Sequence, residues 1–298
     1  MRDQSYDMNS IVSKPSVTER VAHHFTVDVE EYFQVSAFAR VVAPDQWGGY
    51  ESRVVSNMAL LGDLLAERDV TATMFVLGWV AQQHPSMVRE LAAAGHEIAS
   101  HGWDHRRVTE QTPAQFRESV RRTKDFLEDL TGRACEGFRA PSFSIVPGRE
   151  WALDVLIEEG HTYDSSLFPI RRPGYGFPGA KRGVHFIDRP SGRLREVPPA
   201  TLQIVGANLP AGGGAYLRLF PFSVVRKAVQ SFDRNGEAAT LYIHPWELDP
   251  EQPRLSVPWH TRIRHYGGLE RTADRVRALL GEFRFQPIAT TLSCVPAQ

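Results

Sequence analysis

The feature that most narrows the fold of this chain is an alternation of strand-like and helix-like runs between His24 and Gly160. His24-Phe25-Thr26-Val27-Asp28-Val29 interleaves apolar and polar residues with a period of two and reads as a strand. Residues 56–68 then carry apolar side chains at helical spacing behind a Ser56 cap, and 70–76 supply a second strand. The helical pattern returns over 85–94, Gly95 stops it, and 96–100 forms a third strand. A helix over 113–130, a strand near 137–139 and a helix over 151–159 continue the series. Repeated βα units predict an α/β fold with a parallel sheet, open or closed into a barrel.

Beyond Ile170 the character changes. Residues 170–214 are rich in Gly, Pro and Arg and read as a long surface excursion with only short β-like pieces. A returning strand at Leu241-Tyr242-Ile243-His244, a helix over 268–283 and a closing strand over 285–290 follow. The first twenty residues read as a flexible tail, so the expectation is one domain over 21–298. With 34 basic against 35 acidic residues the net charge is −1, which disfavours a nucleic-acid partner. No run of 18 apolar residues and no signal-like N-terminus occur, so no membrane span is expected and a cytoplasmic protein is predicted. Cys135 and Cys294 lack metal-type spacing and are expected as free thiols.

Candidate chemistry gathers after the predicted strands. Asp28 and Glu30 are two apart, hence on one face, at the strand's C-terminal end, where parallel α/β folds build active sites. Taken alone, the pair reads first as a wet strand end. His101 and His105 are four apart, and a helical first turn would set both imidazoles beside one cation. With 11 histidines in the chain, about 0.4 such pairs arise by chance, so position rather than spacing carries the weight. Two histidines and a carboxylate with open positions form a recurring catalytic site for a divalent ion. Zinc is the default for so nitrogen-rich a set, with cobalt, nickel or manganese also able to occupy it. Arg139, Asp164 and His244 follow or end later strands; alone they read as a surface cation, a turn cap and a strand terminus. Gly212-Gly213-Gly214-Ala215-Tyr216 reads as cleft lining, since glycines permit close backbone approach, or as a plain flexible loop.

In order, T-V-D-V-E-E-Y-F, S-H-G-W-D-H, R-A-P-S-F-S, D-S-S-L-F-P and H-P-W-E-L-D-P resemble the stations of the NodB-homology polysaccharide deacetylases, and look specifically like bacterial members found with exopolysaccharide and exosortase gene clusters. The resemblance covers roughly residues 25–247. It implies a distorted (β/α) barrel that removes acetyl groups from an N-acetylated glycan with a metal-activated water, plus a family-specific C-terminal region over about 217–298. By resemblance Asp28 is the base and His101 and His105 are metal ligands; some deacetylase-like relatives replace the usual adjacent aspartates by Asp-x-Asp, and strand geometry would let Glu30 take the third ligand place in the same way. Arg139 orients Asp28, His244 is the general acid, Asp164 tunes that acid, and Ser142, Phe143, Tyr216 and Trp246 contact the sugar. Two rival readings are a cyclic imide or ureide hydrolase of the allantoinase type on the same scaffold, and a carbohydrate-binding protein without catalysis.

Overall fold

The computed structural model describes residues 21–172 and 174–293; the expected N-terminal tail and Cys294 lie outside them. Eleven strands appear among these residues: β1 (Ala22–Val29), β2 (Thr73–Val76), β3 (Glu97–Ser100), β4 (Gly137–Phe138), β5 (Tyr163–Asp164), β6 (His185–Arg189), β7 (Gly192–Glu196), β8 (Thr201–Ile204), β9 (Ala207–Pro210), β10 (Thr240–Ile243) and β11 (Arg284–Gln286). The main sheet runs β10-β1-β2-β3-β4-β5-β7-β6, with β11 pairing β1. All of its pairings are parallel except the β6–β7 hairpin. This is the mixed α/β, barrel-like architecture that the alternation predicts.

The helices are α1 (Val54–Ala66), α2 (Gly78–Gln83), α3 (Pro85–Ala93), α4 (Pro113–Thr131), α5 (Trp151–Glu158), α6 (Ala215–Leu219), α7 (Phe222–Arg234), α8 (Trp259–Tyr266), α9 (Thr272–Glu282) and α10 (Ile288–Ser293). Local chemistry sets their ends. Thr112 and Gln115 form a capping box before α4, and Gly132 closes it in a left-handed conformation that a glycine adopts without strain. The carboxylate of Glu31 accepts from the backbone N–H groups of Arg53 and Val54 and so caps α1 from a distant segment. No helix among the described residues is long and apolar enough to cross a membrane.

Strand alternation separates two environments. Phe25, Val27 and Val29 on β1, Met74 and Val76 on β2 and Leu241 and Ile243 on β10 join one buried cluster with residues of α1, α3, α7 and α9. The alternate residues, Thr26, Asp28, Phe75 and Tyr242 among them, face the barrel interior. At the N-terminal strand ends α10 fills the barrel: Ile288 and Leu292 pack on Phe75 and Tyr163, and the Ile288 N–H donates to Thr73 Oγ1 at 2.8 Å. The expected closing strand over 285–290 is therefore only three residues long, because Pro287 ends pairing and starts this helix.

The stretch 170–214 is more ordered than its composition predicts. Its β6–β7 hairpin extends the sheet through β5, and β8–β9 form a second hairpin. The same stretch closes the gap beside β10: the Ala200 N–H donates to the Thr240 carbonyl at 2.9 Å, and the Tyr242 N–H to the Gly212 carbonyl at 2.7 Å. A Cβ on Gly213 would lie 1.7 Å from the Tyr242 carbonyl oxygen, and its φ is +149°, so only glycine fits this seam. A methyl added at Gly62, inside α1, would meet no neighbour within 4 Å. Gly213→Ala should therefore cost more than ~2 kcal/mol, and Gly62→Ala should gain about 0.5–1 kcal/mol. Paired denaturant titrations check both signs; a Gly213→Ala protein as stable as the parent would contradict the seam.

Candidate active site

Three strands carry their inward-facing alternation one step past their ends. Asp28 is followed two residues on by Glu30, Ala99 by His101, and Tyr242 by His244, so these side chains meet at the C-terminal rim. One donor atom from each of Glu30, His101 and His105 lies within 4.8 Å of the others, and all three residues are buried. Glu30 Oε2 sits 2.8 Å from His105 Nε2 yet has no hydrogen-bond partner in acceptable alignment. A buried carboxylate oxygen left without a donor is costly, and a cation shared with the imidazoles would satisfy it. The residues present thus fit a divalent ion.

His101 and His105 do not lie on a helical turn. The segment between β3 and the next helical turn is irregular, with Gly102 and His105 at φ +74° and +53°, and it is pinned where Gly78 and Trp79 donate to the carbonyls of Gly102 and Trp103. The spacing of four brings the rings together through a loop reversal. His101 Nδ1 lies 2.8 Å from the Arg139 carbonyl, which can only accept, so Nδ1 carries the proton and Nε2 presents its lone pair. Burial lowers the His101 pKa to about 4, keeping that lone pair free. Burial pushes Glu30 up, but His105, His244 and His101 outweigh it and hold the carboxyl at about 2.

Asp28 accepts from Arg139 Nη1 at 2.7 Å. The same guanidinium donates to Thr26 Oγ1 at 2.7 Å and to Ser165 Oγ and the Ser165 carbonyl at 2.8 and 3.2 Å, and it packs over the Phe75 ring. Across the rim His244 Nε2 stands 3.8 Å from Asp28 Oδ2 and 3.6 Å from Glu30 Oε1. Its Nδ1 lies 2.7 Å from Glu247 Oε1, and Arg218 Nε donates to Glu247 Oε2 at 2.5 Å. Burial alone would lower the His244 pKa; the carboxylates of Glu30, Glu247 and Asp28 raise it to about 9.

Glu247 thus occupies the place expected for Asp164. Asp164 instead accepts from the Ser166 hydroxyl and backbone N–H at 2.6 and 3.2 Å and pairs with Glu196; burial raises both carboxyls, so this pair retains a proton. Asp164 does not line the cleft. The missed signal was local: in His244-Pro245-Trp246-Glu247 the glutamate three residues on also accepts from the His244 backbone N–H, a capping-box arrangement readable from sequence. Arg218, fully buried in α6, gave no such signal. Its other donors reach the carbonyls of Arg264, His265 and Gly267.

A cleft of about 440 Å³ opens over these groups. Ser142, Phe143 and Tyr216 line it, as does Gly214 of the glycine run. Ser142 and Phe143 hold φ of 55° and 51°, and with His105 they are non-glycine residues in left-handed conformation, a strain of ~1–3 kcal/mol each that clusters at functional sites. Trp246 also borders the cleft but is only 5 % exposed; it packs near-parallel to His244 and His265, and its Nε1 donates to Glu30 Oε1 at 3.1 Å. The expectation of a sugar-contacting tryptophan gives way to one that braces Glu30.

Residues 49–147 match the family of polysaccharide deacetylases, and residues 165–293 match a domain of unknown function (DUF3473). A peptidoglycan-N-acetylglucosamine deacetylase of Bacillus cereus is 26 % identical over 145 residues, 45 % of this chain and 51 % of that protein. A peptidoglycan-N-acetylglucosamine deacetylase of Listeria monocytogenes is 30 % identical over 101 residues, 31 % of this chain and 22 % of its own length. The chain therefore spans about half or less of these relatives. Among solved structures, a Mycobacterium smegmatis protein classed as a polysaccharide deacetylase superposes with a TM-score of 0.61 at 22 % identity, covering 95 % of this chain and 92 % of that one. The Puue allantoinase superposes with a TM-score of 0.58 at 17 % identity, covering 96 % and 94 %, so both share the barrel. The segment that matches the polysaccharide deacetylases carries the His101–His105 loop and Arg139.

Proposed function

We propose that this protein is a divalent-metal-dependent hydrolase that removes acetyl groups from an N-acetylated glycan, an exopolysaccharide or a chitin- or peptidoglycan-like polymer. The observation that carries the reading is the facing pair at one rim: a carboxylate, Asp28, and an imidazole, His244, 3.8 Å apart beside the Glu30, His101 and His105 donors. A binding module needs no such acid and base opposite each other. The match of residues 49–147 to the polysaccharide deacetylases supports the same reading, as do relatives named for deacetylating peptidoglycan.

Glu30, His101 and His105 would hold the ion, zinc by default for a set with two imidazoles. Bound there, it would supply Lewis acidity toward water and the acetyl carbonyl. Asp28 takes the proton of the attacking water, whose oxygen bonds to the acetyl carbon. Arg139 fixes the Asp28 carboxylate so that Oδ2, free of Arg139, faces the reaction. The carbon–nitrogen bond then breaks as His244 Nε2 gives its proton to the departing sugar nitrogen, yielding acetate and an amine. Glu247 holds the opposite side of the His244 ring and Arg218 holds Glu247, which aims Nε2 into the cleft. The backbone N–H of Ser142 is the donor we assign to the acetyl oxygen, that of Phe143 being given to the Ala140 carbonyl at 2.9 Å.

After chelation and dialysis the protein should take up one divalent ion per chain, and His105→Ala should weaken that uptake at least ~100-fold by calorimetry. Asp28→Asn should keep the ion and lose roughly 10²–10⁴ in kcat for acetate release from N-acetylglucosamine oligomers. Glu247→Gln should lower kcat roughly tenfold with little change in KM, because it disturbs aim rather than binding. Wild-type rates in a protein lacking both His101 and His105, or turnover of allantoin without acetate release from any glycan, would overturn the assignment.

A further inference from the structure

The cleft is electrically lopsided. Among the described residues Asp28 and Glu30 are the only carboxylates that line it, and both belong to its inner end, one held by Arg139 and one among the histidines. Arg107 and Arg264 line it as well. They meet at one place: Arg107 Nη2 donates to the Gly174 carbonyl, and the Arg264 guanidinium stands 5.8 Å from the ring of the adjacent Tyr175. Arg172 bridges to the same tyrosine through the backbone. Among the described residues neither Arg107 nor Arg264 has a carboxylate partner, and Arg107 Nε is buried without any hydrogen-bond partner. By contrast Arg218, which also borders the cleft, is neutralised by Glu247.

Arginines gathered in a concave site with unspent donors are suited to planar, oxygen-rich anions, which they bind in bidentate fashion. A neutral glycan offers hydroxyls but no charge to balance two guanidinium groups. The wall between them is fixed, since the Tyr175 and Tyr216 hydroxyls lie 2.6 Å apart. Arg107 comes from the segment matched to polysaccharide deacetylases and Tyr175 and Arg264 from the second matched segment, so the two halves of the chain build this end together.

We propose that Arg107 and Arg264 form a subsite for an anionic substituent, such as a sugar carboxylate or a phosphate ester, on the glycan being deacetylated. This rests on the deacetylase reading and assigns it an acidic polymer. The subsite lies along the cleft from the reacting acetyl group, so the charged group sits on the same or a neighbouring sugar and acts through binding.

The test uses an N-acetylated oligosaccharide bearing a uronate, its carboxyl-reduced neutral twin, and the neutral twin carrying a phosphate ester. Acetate release by the metal-loaded protein should give a kcat/KM at least roughly tenfold higher for an anionic form than for the neutral twin, mostly through KM, and the gap should shrink as salt is raised. The two anionic arms tell carboxylate from phosphate. In R107Q/R264Q protein the rates on anionic and neutral forms should converge. Equal rates for the wild type, or a preference that survives in the double variant, would overturn the subsite while leaving the deacetylase reading intact. Calorimetry with Asp28→Asn protein separates the other case: anionic ligands bound more tightly than the neutral twin, with no acetate from any of them in the wild type, would keep the subsite and sink the deacetylase reading.

Discussion

The guanidinium of Arg139 is the contact on which the interior depends. It is completely buried, and it ties β1 through Thr26 and Asp28 to the segment after β5 through Ser165, while its own carbonyl orients His101 after β3. A buried cation of this kind is tolerable only when each donor finds a partner, and removing one partner leaves an uncompensated charge. The barrel centre is therefore held by a polar hub at the level where the chemistry is proposed, with apolar packing on the helix side of the strands and around α10 below. The position of Asp28 and the orientation of His101 follow from one residue, the first through its side chain and the second through its carbonyl.

The sequence was legible where a local rule acts alone. The inward places of Asp28 and Glu30 follow from strand alternation, and α4 can be read from its cap, its apolar spacing and Gly132. It was illegible where distant segments decide. Residues 170–214 look like loop by composition, yet their backbone groups become sheet by pairing with β5 and β10, a choice made by the edges on offer. The histidine spacing was meaningful for a reason other than helix geometry, because left-handed backbone at Gly102 and His105 brings the rings together. The place expected for Asp164 differs from the observed one because its burial beside Glu196 depends on β7, which its own neighbourhood in the chain does not reveal.

The proposed acid and its support form a unit that the N-terminal half lacks. His244 and Glu247 share one short turn after β10, and Arg218 links that turn to the carbonyls at the end of α8. Trp246 in the same turn reaches across to Glu30. His244, Glu247 and Arg218 belong to the segment matched to the domain of unknown function, His101, His105 and Arg139 to the segment matched to the deacetylases, and Asp28 and Glu30 precede both, so three stretches of chain meet at one rim.

The seam at Gly213 fixes more than closure. Because the 212–214 backbone lies directly against the backbone of β10, the segment leading into Tyr216 starts one strand repeat, about 4.8 Å, from the strand that presents His244. The breadth of the groove on that side is accordingly set by peptide geometry. Side-chain exchange on the surrounding loops can alter what the groove recognises, while the spacing of the two backbones beneath it stays as it is.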